Sequence, residues 1–351
     1  MSATVQPMPA AARWSGVVEA LAPLVVALAA AALILVLAGH NPLEVYRLLA
    51  VESFGGVKRI AATLAAATPL ILTGLATAVA FRAGAFNVGV EGCVFVGGLA
   101  AAYVGFTYAG LPGYILLPGA LAASVVIGGL WMLVPGLLKA RLDVDEVVTT
   151  LMLNFIAVSI TAYLVNGPLL APGAANSATP MVDAAARLPK LLPPSTLNAG
   201  FLIAVALLLV YAFWSRRTAL GLETRLAGLN GRFAIASGIN VPMLVIKMML
   251  LSGAIGGLAG GIHALGSVGR FVSGFSPGYG FTGIAVALLG RGSALGIFLA
   301  AILFGALATS GATIQLFSDV PIEIVSILQG MVMIFAVARV GWIFARKGAR
   351  Q

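Results

Sequence analysis

Leu21-Ala-Pro-Leu-Val-Val-Ala-Leu-Ala-Ala-Ala-Ala-Leu-Ile-Leu-Val-Leu-Ala38 contains no charged residue and approaches the roughly 20 apolar residues that cross a bilayer as one helix. Similar runs recur at Phe201 to Phe213 and Ile322 to Val337, too many for one soluble core. Of the 351 residues, 61% are hydrophobic and 9% charged, against about 25% charged in an ordinary soluble domain. The chain therefore reads as an all-α polytopic membrane protein. Its net charge of +9 belongs in loops that set orientation rather than in a nucleic-acid surface. The single cysteine, Cys93, has no partner for an intramolecular disulfide and reads as a small packing residue. Arg13 followed by the first run has the order of a signal peptide, but the run exceeds the usual apolar core of about 7–15 residues and reads as an uncleaved first span.

Breaks at charges, prolines and polar clusters delimit ten candidate spans: 17–38, 60–81, 90–109, 114–138, 147–165, 199–214, 241–264, 276–290, 294–312 and 322–340. With both termini inside, 14 of the 20 Lys and Arg residues face the cytoplasm and 6 face outward, as the positive-inside rule requires. Lys247 and Arg339 lie close enough to span ends to snorkel. The whole chain, 1–351, is one transmembrane domain with two notable loops. The external loop 166–198 is rich in proline and reads as an irregular surface segment with a short helix around Asp183 to Leu188. The cytoplasmic loop 215–240 holds a short amphipathic helix between glycines, with basic residues on one side, suited to a membrane surface or a partner's groove.

Two segments fit one pattern. Ala83-Gly-Ala-Phe-Asn-Val-Gly-Val-Glu-Gly92 precedes the third span, and Val272-Ser-Gly-Phe-Ser-Pro-Gly-Tyr-Gly-Phe281 leads into the eighth. The first falls toward the cytoplasm and the second toward the outside, which makes spans 2 to 5 and 7 to 10 candidate inverted repeats. Transporters built that way bind solute near the midplane, where helices are broken.

The candidate pathway residues follow from these breaks. Asn87, Glu91 and Asn154 are polar groups in apolar surroundings, where an ionisable group is a functional candidate by default. Glu91 reads equally as a site and as a helix cap satisfying free backbone N–H groups. Glu146, Thr150 and Asn154 share one helix face, with Asn154 about 12 Å along the helix from Glu146; bonding a neighbouring helix is its favoured role over lining a pathway. Phe275, Tyr279 and Phe281 flank Ser276 at the second break, either as an interfacial belt or as stacking surfaces for a planar ligand. Gly253, Gly257 and Gly261, with Gly256 and Gly260 alongside, form a small-residue ridge for close helix packing.

Several chemical readings fall away. Gly278-Tyr-Gly-Phe-Thr-Gly283 has dinucleotide-fingerprint spacing but leads into a membrane helix rather than following a strand. No phosphate-binding loop of the G-x-x-x-x-G-K-[ST] type occurs, so any ATP hydrolysis belongs to another chain. Asp143, Asp145 and Glu146 suit a helix N-terminus better than a metal. His263 lacks a second His or Cys nearby, so no metal site is expected.

Taken together, Asn87-Val-Gly-Val-Glu-Gly92, Glu146-Val-Val-Thr-Thr-Leu-Met-Leu-Asn154, the 220–240 loop with Gly228-Leu-Asn230, the Leu251-Ser-Gly253 region and Tyr279-Gly-Phe-Thr-Gly283 continuing to Arg291 resemble the permease subunits of ABC importers for nucleosides and simple sugars, a family akin to branched-chain amino acid permeases. The motifs run in the family's order from about residue 80 to 310. The resemblance implies a multi-pass protein of the bacterial plasma (inner) membrane, itself without cofactor or catalytic residues. It implies a cytosolic ABC ATPase holding ATP-Mg, a second homologous permease and an extracytoplasmic substrate-binding protein. It further implies that the 215–240 loop couples to the ATPase through Glu223, Arg225, Gly228, Leu229, Asn230 and Arg232. The Glu91, Glu146 and Tyr279 motifs look most like the nucleoside branch. Cys93 stands where the family often has Gln, and His263 is also a departure; loss of an amide there would alter substrate choice. The rivals are a sugar permease, a secondary transporter using Glu91 as its ion site, and a membrane scaffold. Helix breaks at depth argue against the scaffold.

Overall fold

The computed structural model describes residues 25–37, 39–173, 175–317, 326–331 and 333–334. Two compact units emerge: Val51–Thr309, and Met1–Ala50 with Ser310–Gln351. The second of these holds α1 (Val25–Leu37) and most of α2 (Pro42–Phe54), the two helices being bent by 119° from one another. The Tyr46 hydroxyl donates to the Leu28 carbonyl at 2.6 Å across that bend. The sequence reading treats 42–54 as loop because Glu44, Arg47 and Glu52 interrupt its apolar pattern. It is helical because Pro42 starts the first turn and the Asn41 side chain accepts the Leu43 N–H at 3.1 Å.

The unit Val51–Thr309 contains α3 (Val57–Arg82), α4 (Val90–Thr107), α5 (Gly113–Leu142), α6 (Glu146–Asn166), α7 (Gly200–Arg217), α8 (Ala219–Leu229), α9 (Gly231–Ala236), α10 (Val241–His263), α11 (Tyr279–Leu289) and most of α12 (Ala294–Phe317). Among the described residues, 7 helices are long and apolar enough to cross a membrane, or up to 8 if the bent pair counts as one. The chain is a polytopic helical membrane protein. Seven of the expected spans correspond to α3, α4, α5, α6, α7, α10 and α12, whereas expected span 276–290 forms only the 11-residue α11, too short to cross alone. Of expected span 17–38, residues 25–37 form α1 and the rest lies outside the described residues, as does most of 322–340.

Helix α3 has 78% of its most apolar stretch buried and α4 72%, against 22% for both α6 and α7. The first two are therefore central and the others peripheral, their apolar faces left for lipid. Helix α10 joins the centre through the glycine ridge. Gly253 and Gly257 lie against α5 at Gly128, Gly261 against Ser124, and Gly256 and Gly260 against α4 at Cys93 and Val94. Small residues here bring backbones close enough for dispersion and weak Cα–H contacts to replace the hydrophobic driving force that lipid does not supply.

The two loops are more ordered than their composition suggests. In 166–198, Asp183 caps a short 3-10 turn, Ala184–Ala186, as expected. The surrounding backbone, however, lies on the segment after α10. Val182 N–H donates to Gly269 C=O at 2.9 Å, Leu188 N–H to Leu265 C=O at 3.1 Å and Thr179 N–H to Phe271 C=O at 2.9 Å. Ala178, Val182, Ala186 and Leu188 are buried. The expected irregular surface segment is thus a fitted cover. Its prolines remove backbone donors that a continuous sheet would need, so it docks through scattered hydrogen bonds. In 215–240, two helices replace the single amphipathic one. Asn230 ends α8 and caps α9, its side chain accepting the Phe233 N–H at 3.0 Å.

Candidate functional site

The centre of the unit is built where two helices begin at once. After α3 the chain leaves helical form over residues 83–89 and re-enters it as α4; after α10 a π-turn, Ala264–Val268, and the segment 269–278 lead into α11. At 11 residues, α11 is only about 16 Å long, half of what a bilayer needs. Its first turn rests directly on that of α4: a Cβ on Gly280 would lie 2.2 Å from the Glu91 backbone N. The sequence reading puts the two breaks toward opposite sides of the membrane. The structure brings the starts of their helices, α4 and α11, into contact.

Helices α6 and α10 hold the first break in place. The Glu146 carboxylate accepts the Phe86 N–H at 3.3 Å and the Thr150 hydroxyl oxygen accepts the Val88 N–H at 3.2 Å. Asn154 accepts the Gly92 N–H at 2.8 Å and donates to the Val88 C=O at 2.9 Å. The shared face of Glu146, Thr150 and Asn154 is thus a ladder satisfying irregular backbone in an apolar interior, as buried backbone requires. Asn87 accepts the Gly89 N–H at 2.7 Å and donates to the Ser252 hydroxyl on α10 at 2.8 Å. Asn87 and Asn154 are both buried and engaged through both ends of their amides. Replacing Asn154 by leucine should leave a donor and an acceptor unpaired at a cost of about 1–3 kcal/mol each, read as a lowered thermal midpoint of the purified chain. Aspartate, which keeps the acceptor, should lose less.

Glu91 does cap a helix, but not its own. Its carboxylate accepts the Gly280 N–H of α11 at 2.5 Å, and the Ser276 side chain and Gly278 N–H also reach it. Ser276 in turn accepts the N–H groups of Gly278 and Tyr279 at 3.2 and 3.0 Å. Glu91, 4% exposed, therefore fills the positive end of a half-helix with an intrachain carboxyl group.

Beside this cap lies an aromatic cluster. Phe271 and Phe275 stack at 4.4 Å between ring centroids, and Phe95 meets both edge-on at 6.2 and 6.3 Å. His263 packs edge-on against Phe275 and Tyr279 at 5.0 Å each. Phe275 is buried, Tyr279 and Ser276 are half-buried and Phe281 is exposed. The structure brings Glu91, Phe275, Ser276 and Tyr279 together, while Asn87 and Asn154 stand behind them as supports. Phe95 and Phe271 belong to the cluster but escape sequence reading, since Phe95 is one apolar residue within an apolar run and Phe271 lies just outside the segment 272–281 that the break pattern marks.

At one end of the unit, α8 is fastened to α3. A Cβ on Gly228 would lie 2.4 Å from the Arg82 carbonyl oxygen, so no other residue fits this contact without displacement. The Arg82 guanidinium donates to the Ser215 C=O at 2.6 Å and the Gly221 C=O at 3.3 Å. Arg225, Leu229, Asn230 and Arg232 are exposed and Glu223 half-buried, while Phe233 and Ile235 add exposed apolar surface.

Residues 59–337 match the family described as "Branched-chain amino acid transport system / permease component". The chain belongs to this family. Among relatives of this permease, a guanosine ABC transporter permease protein of Bacillus subtilis is 37% identical over 92% of this chain and 93% of its own length. A glucose ABC transporter permease protein of Haloferax volcanii is 35% identical over 92% and 89%. A nucleoside ABC transporter permease protein of Lactococcus lactis is 33% identical over 87% and 86%. Permease components of this kind are transport subunits, not catalytic ones.

Proposed function

We propose that this permease is one of two homologous membrane subunits of an ATP-driven importer for nucleosides. The observation that carries the reading is the 37% identity to a guanosine permease over nearly the full length of both chains. Glu91 supports an uncharged solute. Half-helix N-termini in transporters can receive an anionic group of the solute, but here that end of α11 already holds a carboxylate. The aromatic cluster around Phe275 and Tyr279, with Phe281 beside it, supplies faces on which a nucleobase stacks.

In this reading both termini are cytoplasmic, with ten spans arranged in a bacterial plasma membrane as inverted repeats of spans 2 to 5 and 7 to 10. An extracytoplasmic protein delivers the solute, and a separate cytosolic ATPase binds and hydrolyses ATP-Mg. Helices α8 and α9 enter a cleft on that ATPase through Glu223, Arg225, Leu229, Asn230, Arg232 and exposed Phe233. Gly228 passes their displacement to Arg82 and Gly84 at the end of α3, and so to the break carrying Asn87 and Glu91. Glu91 hands it on to α11, which opens the solute cavity inward.

Replacing 228–232 with a flexible linker should abolish uptake in cells while leaving the membrane-inserted amount unchanged; normal uptake would refute the coupling. For the substrate, the complex is purified by a tag on this chain and its ATPase rate measured with binding protein preloaded with guanosine or with glucose. Stimulation by guanosine supports the proposal. Stimulation by glucose alone would favour the sugar reading, to which the Haloferax relative points. Uptake by the chain alone, driven by an ion gradient without ATP, would overturn both.

A further inference from the structure

At the end of the unit that carries α8, a cavity of about 370 Å³ opens between α7, the start of α8 and the turn from α11 to α12. This is within the range of about 300–1,000 Å³ typical of small-molecule pockets. Arg82, Arg216, Arg225 and Arg291 line it, and no carboxylate does. None of the four forms an ion pair among the described residues. Arg82 is held by the neutral carbonyls of Ser215 and Gly221, and its Nε has no hydrogen-bond partner, so its charge is fixed in place without a counterion.

Two further features add positive potential. Thr218 and Gly221 at the first turn of α8, and Ser293 and Ala294 at the first turn of α12, also line the cavity, so two helix N-termini meet the guanidinium groups there. Arg291 is in the left-handed region at φ 54, where a bulky side chain is disfavoured. The Tyr211 hydroxyl fixes that turn by donating to the Gly292 C=O at 2.7 Å. The chain thus holds arginine where glycine would sit with less strain, and the arginine lines the cavity.

We propose that this cavity binds a phosphate group. Guanidinium forks match phosphate oxygens in pairs, and four uncompensated like charges around one cavity repel until an anion joins them. Arg82 and Arg216 lie in the last turns of α3 and α7, at the level where membrane helices end and phospholipid headgroups lie. The phosphate is therefore that of an anionic lipid or of a soluble phosphate compound, and the same chemistry serves both. The cavity shares Arg225 with the coupling surface proposed for α8, so the proposal is tested on the chain without any partner and through Arg216 and Arg291, which that surface does not use.

The purified, delipidated chain is placed in nanodiscs of phosphatidylcholine alone or of phosphatidylcholine and phosphatidylglycerol in equal parts. Its thermal midpoint is also followed in the neutral discs while inorganic phosphate replaces chloride at constant ionic strength. The natural chain should gain about 5 °C or more at saturation by one of these phosphates. The double variant Arg216→Gln/Arg291→Gly should lose at least half of that gain. Arg291→Gly suits φ 54 and Arg216 is exposed, so the variant should keep its midpoint in neutral discs. A gain from phosphatidylglycerol alone assigns a lipid headgroup, and a gain from inorganic phosphate in neutral discs assigns a soluble one. No gain with either, or an equal gain in both proteins, overturns the proposal.

Discussion

Replacing Gly257 by valine should leave almost no folded permease in the membrane. Helix α10 threads between α4 and α5 at this residue. A Cβ there would stand 2.2 Å from the Ser124 carbonyl oxygen and 2.9 Å from the Gly128 Cα. From the other side, a Cβ on Gly97 would come within 2.4 Å of the Gly257 Cα. These neighbours are backbone and cannot rotate away, so the helices would have to separate. Overpacking by a methylene or two against side chains costs about 1–3 kcal/mol; against backbone on two faces the loss should exceed that. Fluorescence-detected size-exclusion chromatography of a tagged chain should show the monodisperse peak lost for Gly257→Val and sharply reduced for Gly257→Ala. Gly119 on α5 is the control: a Cβ there meets nothing within 4 Å. Alanine at that position should stabilise by about 0.5–1 kcal/mol. Equal tolerance of alanine at 257 and 119 would show that the close approach is not what holds α4, α5 and α10 together.

Replacing Glu91 by alanine should reduce transport at least tenfold while leaving the protein inserted. The Glu91 carboxylate accepts the Gly280 N–H of α11, and its loss leaves a buried donor unpaired, at about 1–3 kcal/mol. A loss of about 1.4 kcal/mol in the geometry of the break is enough for a tenfold change in rate. The defect should appear in uptake rather than in assembly, because the glycine contacts between α4 and α10 do not involve this side chain. Glutamine keeps one acceptor oxygen and should retain intermediate transport. That result also separates two mechanisms: an ion-driven transporter using Glu91 as its proton or cation site predicts that Glu91→Gln is as inactive as Glu91→Ala. Uptake by Glu91→Ala at the natural rate would sever the proposed link between the two breaks.

These expectations describe one mechanical path. The ladder of Glu146, Thr150 and Asn154 holds residues 83–92 on α6, Asn87 ties them to Ser252 on α10, and Glu91 ties them to α11. Gly228 touches the same segment from the side of α8. A displacement of α8 therefore meets a break supported on three other helices rather than a free loop, which favours movement as a unit over local unravelling.

Much of this molecule was legible in its sequence because the bilayer restricts the choices. Long uncharged runs must be helices, since unpaired backbone is untenable in lipid, and the boundaries of α3, α5, α6, α7 and α10 lie close to the limits that charges and polar clusters suggest. The glycine ridge of α10 was legible for the same reason: residues spaced at i, i+4 and i+8 share a face whatever they touch. Polar residues in apolar runs were legible as important, but not by role. The spacing of Asn154 places it on a face with Glu146, yet only the approach of α4 to α6 turns it into a clamp on Gly92 and Val88. Glu91 was open between cap and site because sequence supplies its own helix as the obvious object. Tertiary structure instead gives it the N-terminus of α11, 189 residues along the chain. The gathering of Phe95, Phe271, Phe275 and His263, and of four arginines around one cavity, was hidden for the same physical reason. Hydrophobicity and local spacing determine which segments become helices, whereas the partners of a side chain depend on which helix faces pack together, and that choice is made over distances that no local pattern encodes.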